Sequence, residues 1–96
     1  MNINFTNNDG VLALQIDGRL DTNTAPMLEA FIQEHTDGAT QLIINCDDLV
    51  YVSSAGLRVL LAAQKKMKGA MKLVNVTELV LEVFDMTGFT DILVIE

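Results

Sequence analysis

The residues of this chain best placed to do chemistry are Ser53 and Ser54, two serines at the boundary between an apolar run and a helical repeat. Asp48-Leu49-Val50-Tyr51-Val52 stops at them, and Leu57, Leu60 and Leu61 then recur at helical spacing. A serine opening a helix accepts a hydrogen bond from a first-turn N–H, and the same free N–H groups and helix dipole welcome an anion. Phosphate, adding a charge of about −1.5 to −2, fits there without breaking the fold. A partner covering the site would have to bury that charge, which is far more costly than the local gain. Capping alone also accounts for both serines, so the position permits a switch at Ser54 without requiring one. Arg58, one turn further along, is placed to pair with a phosphate on Ser54 or an acidic partner group, or is a plain surface arginine.

Other reactive side chains carry less. Cys46 is the only cysteine, which excludes an internal disulfide and a zinc site built on paired cysteines. It follows Leu42-Ile43-Ile44-Asn45 and reads as a core residue at a strand end. His35, the only histidine, falls late in a helix, where a polar or cationic tip is favoured, and is assigned neither catalysis nor metal binding. An enzyme using Ser54 as nucleophile lacks Gly-x-Ser-x-Gly and would need His35 as a base from a distant helix, so the chain is read as a non-enzyme. Lys65, Lys66, Lys68 and Lys72 read as a solvated face. Met27, Met67, Met71 and Met86 read as packing or surface residues. No phosphate-binding glycine loop occurs, so no nucleotide or other cofactor is expected on the chain itself.

Composition sets the class. Ninety-six residues, half of them hydrophobic, suit one domain spanning residues 1–96. The net charge of −7 argues against direct nucleic-acid or anionic-membrane binding. No apolar run approaches the ~18 residues of a membrane helix, and Met1-Asn2-Ile3-Asn4-Phe5 lacks the basic start of a signal peptide. A cytoplasmic, monomeric regulator is expected.

The elements that must position the serines follow from patterning. Ile3 and Phe5 alternate with polar residues, and Asn7-Asn8-Asp9-Gly10 marks a hairpin turn before Val11 to Ile16. Gly18-Arg19-Leu20-Asp21 is expected to break that strand, and Thr22-Asn23-Thr24 before Pro26 to start a helix. Leu28, Phe31, Ile32 and His35 then share a face until Asp37-Gly38. Gln41 to Cys46 is predicted as a strand covered on both faces. A helix from Ser54 to about Lys68, a strand over Lys72–Val76, a helix capped by Thr77 and stopped by Gly88, and a last strand over Ile92–Ile95 complete the order. The fold class is therefore α/β: an N-terminal β-hairpin followed by βαβ units, with a mixed, mainly parallel sheet covered by helices. Asp21 and Ser54 both follow strands, so loops at the same sheet end would bring them together.

Asp48 to Leu61 resembles the phosphorylation-site segment of the anti-sigma-factor antagonists, small bacterial regulators built on the STAS domain. Gly18-Arg19-Leu20-Asp21 is similar to that family's Gly-x-Leu-Asp turn, Leu42-Ile43-Ile44-Asn45 to its central strand, and Phe84-Asp85-Met86-Thr87-Gly88-Phe89 to its late Phe-Asp-Met-x-Gly segment. The resemblance implies a STAS-type domain whose phosphoacceptor falls on Ser54. Ser53 stands where Asp is usual, and Ala55 where Ser or Thr is common. It further implies that the unphosphorylated chain binds an anti-sigma factor that is also a serine kinase, and thereby frees a sigma factor or equivalent target. Contacts would come from Asp21, the segment from Val50 to Val52, Ser53, Ser54, Leu57 and Arg58, with a metal-dependent serine phosphatase as the second partner. The alternative it leaves open is a constitutive STAS adaptor on an ABC-type lipid transporter or signalling scaffold.

Overall fold

In a computed structural model describing residues 1–96, four strands lie side by side in chain order, and three helices pack against them. Strand β1 (Ile3–Asn8) turns through Asp9 and Gly10 into β2 (Val11–Leu20) and pairs with it antiparallel. Both turn residues have positive φ, 51° and 87°, the mirror-image turn geometry that suits the twist of a two-residue hairpin. After α1 (Ala25–His35), β3 (Gln41–Val52) pairs parallel to β2. After α2 (Ser54–Lys66), β4 (Met71–Val74) pairs parallel to β3. Helix α3 (Glu78–Thr87) and a 3₁₀ turn at Phe89–Asp91 close the chain.

One core holds the layers together. Leu12, Leu14 and Ile16 of β2, Leu42, Ile44 and Cys46 of β3, and Met71 and Leu73 of β4 point to the same face. There they meet Leu28 and Ile32 of α1, Leu57 and Leu60 of α2, and Val80 and Phe84 of α3. Burying such side chains contributes about 1.5–3 kcal/mol each, and Phe84, wholly buried, is among the largest. At the β1 edge Phe5 and His35 flank Phe31, with the His35 ring stacked on Phe31 at 3.9 Å between centroids.

Three expectations are corrected. The strand at Gln41–Cys46 is not covered on both faces: burial alternates along it, and Ala13, Gln15, Ile43 and Asn45 face an open, half-buried side. Gly18 does not break β2. The strand runs on to Leu20, with Gly18 at φ 73° accommodating a shift in register against β3. Ile92–Ile95 forms no strand, only a single parallel bridge from Ile95 to Leu73, in which the Leu73 N–H donates to the Val94 carbonyl and the Leu73 carbonyl accepts the Glu96 N–H.

Candidate functional site

Where β3 passes β2 for the last time, its backbone is fuller than its neighbour's. Gln15 and Asp17 pair with Asn45 and Asp48, then Gly18 and Arg19 with Leu49 and Tyr51, so β3 inserts one extra residue twice. These bulges turn Asp47, Asp48, Val50 and Tyr51 outward, while Leu49 and Val52 stay in the core. The strand ends at Val52, and after Ser53 the helix begins at once with Ser54.

Ser53 is the cap. Its backbone is extended and its Oγ accepts the Gly56 N–H at 3.4 Å, while its own N–H donates to the Leu20 carbonyl at 2.9 Å. Ser54 is the first residue of α2, with an exposed side chain. No acidic residue occupies the first turn of α2, so the positive end of its dipole is not offset there. Gly56 lets the helix approach closely: a Cβ on it would lie 2.8 Å from the Leu20 carbonyl oxygen.

The bond from Ser53 to Leu20 also brings in Asp21, the next residue. The Asp21 carboxylate accepts the N–H groups of Asn23 and Thr24, and its carbonyl accepts those of Thr24 and Ala25. Some desolvation raises its pKa, but these hydrogen bonds, with Arg19 nearby, hold it below the usual carboxylate range. Thr24 Oγ accepts from the Asp21 N–H and donates to the Arg19 carbonyl, so it ties the turn and does not cap its helix. Arg58 projects from α2, exposed and without an ion-pair partner. With Ala55 and Val59 it lines a shallow groove of about 350 Å³ against Thr22, Pro26 and Glu29.

The topology therefore places Asp21, Ser53, Ser54 and Arg58 around one sheet end. Val52 and Leu57 lie in the core instead, at 2% and 6% exposure, because the bulges aim Val52 inward and α2 lays Leu57 on the sheet. The outward places belong to Val50 and Tyr51, 51% and 37% exposed. Simple alternation could not reveal this, since it puts Val50 and Val52 on one face. Arg19, at the unspecified position of the Gly-x-Leu-Asp turn, carries no signal in the sequence, yet its guanidinium lies 4.2 Å from the Tyr51 ring centroid.

The other candidates fall elsewhere. His35 ends α1, about 15 Å along the helix from the end beside Ser54, with Nδ1 2.8 Å from the Phe31 carbonyl. Cys46 is buried, and desolvation pushes its thiol up to about 12. Lys66 donates to the Gln33 carbonyl and Lys72 pairs with Glu96. No helix is long and apolar enough to cross a membrane.

Comparison with known proteins gives matches along almost the whole chain. The model of the family described as the STAS domain matches residues 2–96. The anti-sigma-B factor antagonist of Bacillus subtilis is 31% identical over 96 residues, 97% of this chain and 88% of that protein. The fold matches that of the anti-sigma factor antagonist SpoIIAA in its unphosphorylated form, with a TM-score of 0.82, 18% identity and coverage of 99% of this chain and 88% of that one. It also matches the Bacillus cell fate determinant SpoIIAA in its phosphorylated form, with a TM-score of 0.73, 17% identity and coverage of 99% and 91%.

Proposed function

This chain belongs to the STAS domain family, and from that premise we propose that it is an anti-sigma factor antagonist switched by phosphorylation of Ser54. The observation that carries the reading is an exposed hydroxyl on the first residue of α2, at a helix start fixed by the Ser53 cap and the Leu20 carbonyl. The near full-length similarity to an anti-sigma-B factor antagonist supports it over a constitutive adaptor.

Unphosphorylated, the chain docks on an anti-sigma factor through Asp21, Ser53, Ser54, Arg58 and the outward Val50 and Tyr51, and the sigma factor or equivalent target is freed. The anti-sigma factor is also the kinase and brings the ATP. Ser54 Oγ forms a bond to the γ-phosphorus as the bond to ADP breaks, and the hydroxyl proton passes to a base of the kinase. Ser53, in place of the usual Asp, supplies no carboxylate beside the acceptor, so orienting the hydroxyl falls to the kinase. The product is stable within this chain, since a phosphate at a helix N-terminus gains about 0.3–1 kcal/mol. Against a covering partner the same charge has to be desolvated, and about 1.4 kcal/mol of that already lowers affinity tenfold. A metal-dependent phosphatase resets the serine. The switch acts in the cytoplasm, on a monomer, with the whole of residues 1–96 as the working domain.

The test is fragmentation mass spectrometry of the chain isolated from its own cells in growth and under stress, paired with binding of Ser54→Ala and Ser54→Asp to the anti-sigma factor. Phosphate on Ser54 that varies with conditions, tight binding by the alanine variant and weak binding by the aspartate variant are expected. Unmodified Ser54 in every condition, with equal affinity of the two variants, overturns the switch.

A further inference from the structure

We propose that Arg19 is the residue by which this chain selects its partner, through a carboxylate that the partner places against the guanidinium. The inference rests on the reading that an anti-sigma factor docks around Ser54, and adds to it which charge that surface must carry.

Arg19 pairs in register with Tyr51 at the adjoining ends of β2 and β3, just before the Ser53–Ser54 helix start. Its guanidinium is held over the Tyr51 ring at 4.2 Å, and Nε lies 3.6 Å from Asp21 Oδ2. That separation is an ion pair without a hydrogen bond. The side chain is 60% exposed, and no acceptor within the chain takes a hydrogen bond from it. The guanidinium is thus held by stacking while its N–H donors stay free, the condition under which an arginine binds an oxyanion without first being ordered.

Its surroundings sharpen the choice of ligand. The chain has six lysines and arginines against a net charge of −7, and the four lysines lie from the end of α2 into β4. Only Arg19 and Arg58 are near the serine, and of the two only Arg19 is held in place. Beside it Val50 and Tyr51 offer exposed apolar area, and a stacked arginine and tyrosine flanked by apolar surface is the usual composition of an interface hot spot. Asp21, already at the guanidinium, disfavours a dianion more than a carboxylate, so the partner's group is Asp or Glu. The arrangement also gives the switch a direct cause of release. A phosphate on Ser54 adds negative charge at the same end of the sheet where Arg19 recruits the partner carboxylate, and the repulsion between the two favours release.

The probe is the purified anti-sigma factor captured by the Ser54→Ala chain, with affinities measured by calorimetry against the full-length protein and its variants. Arg19→Gln is expected to weaken binding about tenfold and Arg19→Glu about a hundredfold, with unchanged melting of each variant. Arg19→Lys falls between wild type and glutamine, because an ammonium neither stacks nor forks. Tyr51→Phe keeps affinity and Tyr51→Leu loses it. Reversal of one partner Asp or Glu to Arg restores binding to Arg19→Glu. Arg19→Gln binding within about twofold of wild type overturns the inference even if Arg19→Glu is weakened, since only long-range repulsion then remains. If wild type itself binds no anti-sigma factor, the functional reading fails first, before any Arg19 variant is made, and the inference falls with it.

Discussion

Replacing Gly56 by alanine should destabilise this protein, although the same change in an open helix stabilises. Glycine costs a helix interior about 0.8–1.0 kcal/mol relative to alanine, so propensity alone predicts a gain. The added methyl, however, would lie 2.7 Å from Leu20 Cγ and 2.8 Å from the Leu20 carbonyl oxygen. Neither can yield cheaply. The Leu20 side chain is wholly buried, and its carbonyl accepts the Ser53 N–H. Overpacking of this kind costs about 1–3 kcal/mol, and stretching the Ser53 bond adds up to about 1 more. The net loss comes to about 1–2 kcal/mol, or about 5–15 °C in Tm for a domain of this size. Thermal melting by circular dichroism and urea unfolding measure it, with a midpoint lowered by about 1–2 M if m is near 1 kcal/mol/M. Because α2 must move away from β2, Ser54 shifts too, and phosphorylation by the kinase should slow more than stability alone explains. Leu20→Ala in the same background should lose less than the sum of the single changes, as it removes one of the two obstacles. A Gly56→Ala protein that melts at or above wild type would refute the close-approach argument.

Further consequences follow from neighbouring residues. Ser53→Ala should cost about 0.5–1 kcal/mol, the low end for a cap because the bond is long, whereas Ser54→Ala should leave the denaturation midpoint nearly unchanged. Cys46, buried with its thiol pushed up to about 12, should react with a disulfide reagent at pH 8 only as fast as the chain opens, and at once in urea. Asp17 has its pKa held below the ordinary 3.8 chiefly by the Asn2 N–H. Its folded value lies under its unfolded one, so its contribution is present above that range and lost as pH falls through the folded pKa. Asp17→Asn should therefore lower Tm at neutral pH and match wild type near pH 2, read from melting across the acid limb.

Much of this was legible in the chain because local signals and global packing agree. Asp9-Gly10 forced the hairpin, Thr77 and Gly88 bounded α3, and Leu57 and Leu60 set the buried face of α2. What stayed hidden depends on pairing between distant residues. The run Leu42-Ile43-Ile44 looks uniformly apolar, but its neighbours leave Ile43 on the open face. The two bulges in β3 exist only relative to β2, so neither Val50 and Tyr51 facing outward nor Val52 facing inward can be counted off along one strand. The stack of Arg19 on Tyr51 depends on the same register.

The direct passage from β3 into α2 has a consequence for how the acceptor serine is read. Most phosphorylated segments are loose, and an enzyme must freeze them at an entropic cost of about 1–2 kcal/mol per residue before chemistry begins. Here a single residue separates the strand from the helix, and that residue is hydrogen-bonded on both sides. The serine is presented already frozen, at a position written by the sheet. A peptide copied from residues 48–61 would lack that order and be a poor substrate, so transfer to Ser54 doubles as a check that the whole domain has folded. Insertions between Cys46 and Ser54 should be as damaging as loss of the hydroxyl itself.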